Sequence, residues 1–248
     1  LDADFGVMIS ASHNPAPDNG IKFLARGGEK LTDAQEDEII RHLEGVTPRR
    51  PQGADVGRVR VFADAEDRYV LHLLQTLPHR LDGLKVVLDC AHGAAAGCSP
   101  EAFRAAGAEV VVIGASPDGL NINEGYGSTH LEKLQAAVRE HGADIGLAFD
   151  GDADRCFVVD ERGEAVSPSA ITALIATRTL ADNPGATIIH NLITSRAVPE
   201  VIEEHGGTAV RTRVGHSYIK AQMAEHDALF GGEHSAHYYF ADFFNADS

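Results

Sequence analysis

Positive charge is scarce in this sequence. Its 248 residues carry 21 Lys and Arg against 37 Asp and Glu, a net charge of −16. A phosphate backbone repels such a chain, so nucleic acid is not expected as a partner. An anionic ligand would need positive charge gathered locally, from a few Lys or Arg, a helix N-terminus or a metal. Long apolar stretches are missing too. No run of about 18 apolar residues occurs, so no membrane-spanning helix and no membrane partner are expected. The stretch Leu1–Ser10 has no basic n-region and no apolar h-region, so it is not expected to be a signal peptide. It has no initiator Met, and the chain is expected to be an internal fragment. The three cysteines, Cys90, Cys98 and Cys156, are too few and too unevenly spaced for a disulfide framework or a zinc pattern. A reduced, cytoplasmic setting is the expectation.

What is present is an alternation of short apolar runs with amphipathic stretches. Leu84–Asp89 reads as a buried strand. Ser99-Pro100 is expected to open a helix, with Ser as N-cap and Pro in the first turn, and Gly107 to end it. Glu109–Ile113 reads as a strand, Leu131–His141 as a helix and Ile145–Phe149 as a strand. The rhythm restarts after Gly163. Ser167-Pro168 opens a helix, followed by a strand at Thr187–Asn191, a helix at Ala197–His205, a strand at Thr208–Arg211 and a helix at Ser217–His226. This pattern predicts α/β architecture: consecutive domains with mixed or parallel sheets covered by helices. The Pro- and charge-rich segment Thr47–Gly53 is the best linker candidate.

Four constellations are capable of chemistry. In the first, the apolar strand Val7–Ile9 runs into Ser10-Ala11-Ser12-His13-Asn14-Pro15, then Asp18-Asn19-Gly20-Ile21-Lys22. Such a loop presents a serine on a rigid scaffold, with His13 and Lys22 available for protons or positive charge. An ordinary turn would look the same. The second, Asp150-Gly151-Asp152-Ala153-Asp154-Arg155, follows an apolar strand, where open α/β sheets bind ligands. In an extended segment alternate side chains share a face, so the three carboxylates are expected to converge on a hard divalent cation, with Arg155 beside them for a phosphate. A solvated acidic turn is the competing reading. In the third, Glu233 and Ser235 of Gly231-Gly232-Glu233-His234-Ser235-Ala236-His237 would face a polyol if the loop is extended. The fourth, Val214-Gly215-His216-Ser217, is either an anion-binding helix start or simply a capped one.

In this order, the four pieces resemble the α-D-phosphohexomutase family, whose members include phosphoglucomutase, phosphomannomutase and phosphoglucosamine mutase. The specific parts are SASHNP and DGDADR, and the resemblance covers essentially the whole chain. It implies that Ser12 carries a phosphoryl group, with His13 and Asn14 as loop neighbours and Lys22 near the reacting hydroxyl. It implies Mg²⁺ held by Asp150, Asp152 and Asp154, with a phosphoserine oxygen of Ser12 completing the site and Arg155 alongside. Glu233 and Ser235 would bind sugar hydroxyls, and His216 and His237 would line the same cleft. The implied partner is a hexose phosphate, moved between its 1- and 6-phosphates through a 1,6-bisphosphate. No oligomeric state is implied.

The resemblance also implies four domains. Residues 1–65 would be the latter part of the first, 66–163 the second and 164–248 most of the third. A fourth-domain phosphate loop of the type SGTEP does not occur, which again points to a fragment. The stretches Pro17–Phe23 and Asn121–His130 resemble phosphoglucosamine mutase. From about Gly146 onward, notably Ile189–Val198 and Glu233–Phe240, the chain resembles bacterial phosphomannomutase. Because Glu233 and Ser235 lie in that rear part, mannose or glucose phosphates are expected over glucosamine phosphate. Two other functions compete. A phosphatase of the haloacid dehalogenase type would use Asp150 as nucleophile and leave the serine loop without a role. A non-catalytic sugar-phosphate or Mg²⁺-binding module would use the same residues without turnover.

Overall fold

The computed structural model describes residues 3–28, 31–45 and 47–243. The chain forms three sheets in sequence order. A hairpin comes first, with β1 (Phe5–Ile9) antiparallel to β2 (Ile21–Ala25). The expected strand at Val7–Ile9 is its end, and the serine loop is its turn. Helix α1 (Asp33–Gly45) follows. Residues 47–52 carry no regular structure, in keeping with a linker, and lead to α2 (Ala65–Thr76).

The second sheet has the order β4-β3-β5-β6-β7. Strands β3 (Lys85–Asp89), β4 (Glu109–Ile113) and β5 (Ile145–Phe149) are mutually parallel. Strands β6 (Cys156–Val159) and β7 (Ala165–Val166) extend it antiparallel, which makes the sheet mixed. Alternation along β3 divides two cores. Val87 packs with Leu134 and Val138 of α4 (Glu132–His141), whereas Val86 and Leu88 pack with Ala95 and Phe103 of α3 (Ala95–Ala105). Burial on both faces is why these strands read as continuous apolar runs.

Helix α3 begins five residues before the expected start, with Ala94 and not Ser99 at the N-cap. A turn closed by Gly93 N–H donating to Cys90 O at 2.8 Å leads from β3 into the small residues Ala94, Ala95 and Ala96, and Ala94 N–H donates to Gly151 O at 2.9 Å. Pro100 therefore lies inside the helix and not at its start. By contrast, α5 (Pro168–Asp182) has Ser167 at the N-cap and Pro168 in its first turn, as its sequence predicts.

The third sheet has the order β11-β10-β8-β9. Strands β8 (Thr187–Asn191), β9 (Thr208–Thr212) and β10 (Phe230–Gly232) run parallel, and β11 (Tyr238–Phe240) pairs antiparallel with β10. Ile188, Phe230 and Tyr238 face α5 and α6 (Ala197–Glu204). Ile189 and Tyr239 face Ile219 on α7 (His216–Glu225). The hairpin β10–β11, hidden in the sequence behind Gly231-Gly232, carries the Glu233 loop at its tip.

Candidate active site

The hairpin turn and the loop after β5 meet face to face. Ser10 N–H donates to Gly20 O at 3.0 Å and closes the mouth of the β1–β2 turn. Gly20 is obligatory there, since a Cβ would lie 2.0 Å from Ser10 O. Within the turn Asn14 N–H donates to Ala11 O at 3.1 Å, and Ser12 takes the left-handed φ of 54°. That conformation is rare for a serine and persists only when its surroundings hold it.

The holding contacts come from the second sheet. Ser12 Oγ donates to Asp150 Oδ2 at 2.8 Å. Ser10 Oγ donates to Asp152 Oδ2 at 2.7 Å and accepts Ser12 N–H at 2.9 Å. Lys22 Nζ lies 2.6 Å from Asp152 Oδ2 and 3.4 Å from Asp154 Oδ2. The β pleat explains the reach of Lys22: it pairs with Met8 across the hairpin, on the face opposite Val7 and Phe23.

Among the described residues, Asp150, Asp152 and Asp154 form the one group of three metal-capable side chains, with ligand oxygens within 4.8 Å of one another. They converge, as the sequence predicts, but through a turn and not an extended strand. Ala153 has φ 61° and its N–H donates to Asp150 O at 3.1 Å. Asp150 is fully buried. Burial, reinforced by the charge of Asp154, pushes its carboxyl up to about 6. Arg155 Nε stands 3.7 Å from Asp150 Oδ2. Lys22 is raised: burial works against its charge, but the hydrogen bond and charge of Asp152, with Asp154, outweigh it. His13 Nδ1 lies 3.4 Å from Ser12 Oγ. Burial and then the Arg155 charge lower its pKa, which favours neutral imidazole.

The donor set suits a hard divalent cation on this structure's own terms. Three carboxylates face two cationic side chains, and Asp152 Oδ1 is buried with no hydrogen-bond partner among the described residues. A buried orphan oxygen is costly unless something positive approaches it.

The third sheet supplies the opposite wall. His237 Nε2 lies 3.2 Å from Asp154 Oδ1, and its Nδ1 lies 2.9 Å from Ser235 Oγ. The Glu233–His237 loop is also a turn. Ala236 has φ 65° and its N–H donates to Glu233 O at 3.1 Å. Glu233 and Ser235 therefore do not project together as an extended loop would make them. Glu233 points inward. Its Oε1 accepts from Asn191 Nδ2 at 3.0 Å and Gly215 N–H at 3.1 Å, and its Oε2 from Tyr239 Oη at 2.7 Å. His216 begins α7 next to Gly215, with its Nδ1 3.2 Å from Ser217 Oγ. The Asn14 side chain turns away to Asp18, donating to Oδ2 at 3.0 Å.

Two residues to which the sequence assigns no role join the site. Ser10, two before Ser12, bridges the serine turn to Asp152. Asn123, buried in the loop before α4, donates to both Ser12 O and Asn14 O at 2.9 Å.

Three family models described as phosphoglucomutase/phosphomannomutase alpha/beta/alpha domains I, II and III match residues 1–50, 67–163 and 167–248 respectively. A curated relative, "Phosphoglucosamine mutase" of Paenarthrobacter aurescens (strain TC1), is 56% identical over 248 residues, covering 98% of this chain and 54% of its own length. The chain thus spans about half the length of the curated relatives it matches. That one alignment runs through both the front and rear parts of the chain. A solved phosphoglucomutase/phosphomannomutase family protein from Burkholderia thailandensis superposes with a TM-score of 0.83 at 31% identity, covering 96% of this chain and 51% of that one. The N-acetylphosphoglucosamine mutase of Aspergillus fumigatus, solved with GlcNAc-6P and magnesium, shares the fold at a TM-score of 0.67 and 16% identity, covering 96% and 61%. With all three domain models in order along it, the chain belongs to the phosphoglucomutase/phosphomannomutase family of α-D-phosphohexomutases.

Proposed function

We propose that the protein containing this chain interconverts hexose 1- and 6-phosphates, with Ser12 carrying the phosphoryl group in transit. The observation that carries this reading is the contact of Ser12 Oγ with Asp150 Oδ2 at 2.8 Å, which puts a turn-exposed hydroxyl against an acidic triad. In the proposed reaction a sugar hydroxyl attacks phosphorus on Ser12. The new sugar O–P bond forms as the P–Oγ bond of Ser12 breaks, giving a bisphosphorylated sugar. After reorientation, Ser12 Oγ attacks the other phosphorus; the O–P bond to the sugar breaks, and the freed sugar oxygen takes up the proton that leaves Ser12 Oγ.

Neutral His13, 3.4 Å from Ser12 Oγ, is placed to handle the proton that reaches this oxygen when it departs and leaves it when it attacks in the return step. Lys22, held as an ammonium by Asp152 and Asp154, is suited to supply positive charge at the departing Oγ. Arg155 adds charge next to Asp150 for a bound phosphate. Asp150, Asp152 and Asp154 would hold Mg²⁺, in keeping with the magnesium complex of the Aspergillus enzyme. When bound, the ion supplies charge neutralisation for the phosphoryl oxygens. Ser235, with His237 behind it, and Glu233 form the wall proposed for the sugar. Glu233 is buried and held by Asn191, Gly215 and Tyr239, with His237 Nδ1 3.6 Å from its Oε2, so its proposed part in binding the sugar needs an opening of this wall.

Glucosamine phosphate is the leading proposed substrate. The expectation of mannose or glucose phosphates rested on the rear of the chain alone, whereas the relatives named phosphoglucosamine mutase match 98% of it. The reading as a phosphatase needs Asp150 as an accessible nucleophile, and its burial disfavours that. The proposed boundaries stay at 1–65, 66–163 and 164–248, and the proposed setting is cytoplasmic. Among the described residues no helix is long and apolar enough to cross a membrane.

Phosphopeptide mass spectrometry of the complete protein tests the reaction class. Phosphate on Ser12 is expected, and an acyl phosphate on Asp150 would replace this reading with the phosphatase. The kcat/KM values for glucosamine, mannose and glucose 1-phosphates then rank the substrates, with glucosamine 1-phosphate expected first.

A further inference from the structure

We infer that Asn123 is a positioning residue that sets the conformation of the Ser12 turn; the inference rests on the proposed role of Ser12. The Asn123 carboxamide donates its two N–H groups to Ser12 O and Asn14 O, each at 2.9 Å. Only the NH₂ end of the side chain can satisfy two carbonyls, so chemistry alone fixes the orientation of the amide. The two carbonyls flank His13 and bracket the apex of the turn. Fixing both restricts rotation about Ser12, whose φ of 54° is not a conformation serine holds unaided.

Asn123 is itself held firmly. It is 6% exposed, and its own φ is 59°, a conformation that Asn tolerates better than most residues. Its N–H donates to Ala91 O at 2.8 Å. Four residues on, Gly127 N–H donates to Asp89 Oδ2 at 2.8 Å, while Asp89 Oδ1 accepts Ala91 N–H at 3.0 Å. The buried Asp89 carboxylate at the end of β3 thus ties down both the strand end and the loop that bears Asn123. Gly151 completes the seat: a Cβ there would lie 2.5 Å from Ser12 O and 3.0 Å from Asn123 Nδ2. The serine turn therefore lies on the metal loop, backed by one amide from a rigid part of the second sheet.

The test uses the complete protein with Asn123→Asp, which keeps the shape and the tolerance for positive φ but sets a carboxylate against two carbonyl oxygens. Asn123→Gly, which removes the clasp without backbone strain, is the second variant. Both are expected to lower kcat by about 100-fold through misplacement of Ser12, with KM and calorimetric Mg²⁺ affinity nearly unchanged. Amide exchange in the 10–18 peptide is expected to speed up about tenfold in both, with exchange in β3 and β5 unaltered. Full kcat in both variants, or slow exchange of that peptide in both, would overturn the inference. If the parent protein shows no mutase turnover, the proposed function fails instead, and the exchange measurement still decides the role of Asn123.

Discussion

Ser12 Oγ and Asp150 Oδ2 lie 2.8 Å apart although 138 positions separate them in the chain. One belongs to a hairpin turn and the other to the carboxyl end of a parallel strand. Their contact depends on the meeting of two loops, the β1–β2 turn and the turn after β5. A group on each side can therefore be changed separately, and the effects should be distinguishable.

Removing the hydroxyl is the first such change. Ser12→Ala in the complete protein should abolish phosphoserine and lower turnover by more than about 10³-fold, since loss of a nucleophile is among the most damaging single changes to an enzyme. Stability should fall as well, by about 1–3 kcal/mol, because buried Asp150 Oδ2 loses its donor, while the Ser12 N–H bond to Ser10 is kept. Steady-state kinetics and intact-protein mass spectrometry check this. Turnover near the parent value would remove Ser12 from the mechanism.

On the facing side, Asp152→Asn should weaken Mg²⁺ binding by about tenfold or more in calorimetry. It also removes the charge nearest Lys22 Nζ, 2.6 Å away. Asp64→Asn, in an exposed pair with Arg68 remote from the triad, should leave Mg²⁺ affinity unchanged. Equal binding by parent and Asp152→Asn would move the ligands elsewhere.

Gly151→Ala probes the seat between the two loops. The added Cβ would meet Ser12 O at 2.5 Å and Ile122 Cδ1 at 2.8 Å. Displacing backbone at such a contact costs about 1–3 kcal/mol. Denaturant unfolding should show a loss in that range, and activity should fall more than stability implies.

Stability against pH should carry the signature of His190. This residue of β8 is 4% exposed, and burial lowers its pKa below the ordinary 6.5, against the opposing effect of its bond to Asn191 O. A lowered histidine is neutral in both states above 6.5. Below that value the unfolded chain takes up the proton first, so stability is lost as pH falls from 6.5 toward the folded value. His190→Gln should flatten the fall in unfolding free energy between about pH 7 and 5.5. An unchanged slope would show that other groups set the acid limb.

Much of this architecture is legible in the residues. The runs of β3, β5 and β8 stand out because both faces are buried, and Ser167-Pro168 announces α5 because Pro168 sits in its first turn, a local preference, although the Ser167 side chain makes no cap bond. The acidic triad is legible by composition and by its place after β5, although the turn at Ala153, not strand alternation, brings its oxygens together. Asn123 and Ser10 are not legible. Their partners are distant in sequence, and nothing in an Asn or a Ser marks which carbonyl or carboxylate it will meet. Strands β10 and β11 are hidden because Gly231-Gly232 gives no strand signal and owes its conformation to pairing with β8. The inward turn of Glu233 depends on that same pairing, which puts Asn191 and Tyr239 within its reach.

The β1–β2 hairpin has a further consequence. The pleat that turns Lys22 toward the acidic triad turns Phe5, Val7, Ile9, Ile21 and Phe23 outward, where they stand 37–79% exposed. Among the described residues no other strand borders this ribbon. In a polypeptide of these 248 residues this apolar stripe would adjoin open strand edges on a body of net charge −16. Like charge would oppose precipitation of such a polypeptide, while its stripe and open strand edges would favour self-pairing. The colloidal behaviour of the purified chain, with sedimentation that varies with concentration and salt, would thus be set by the same two strands that aim the lysine.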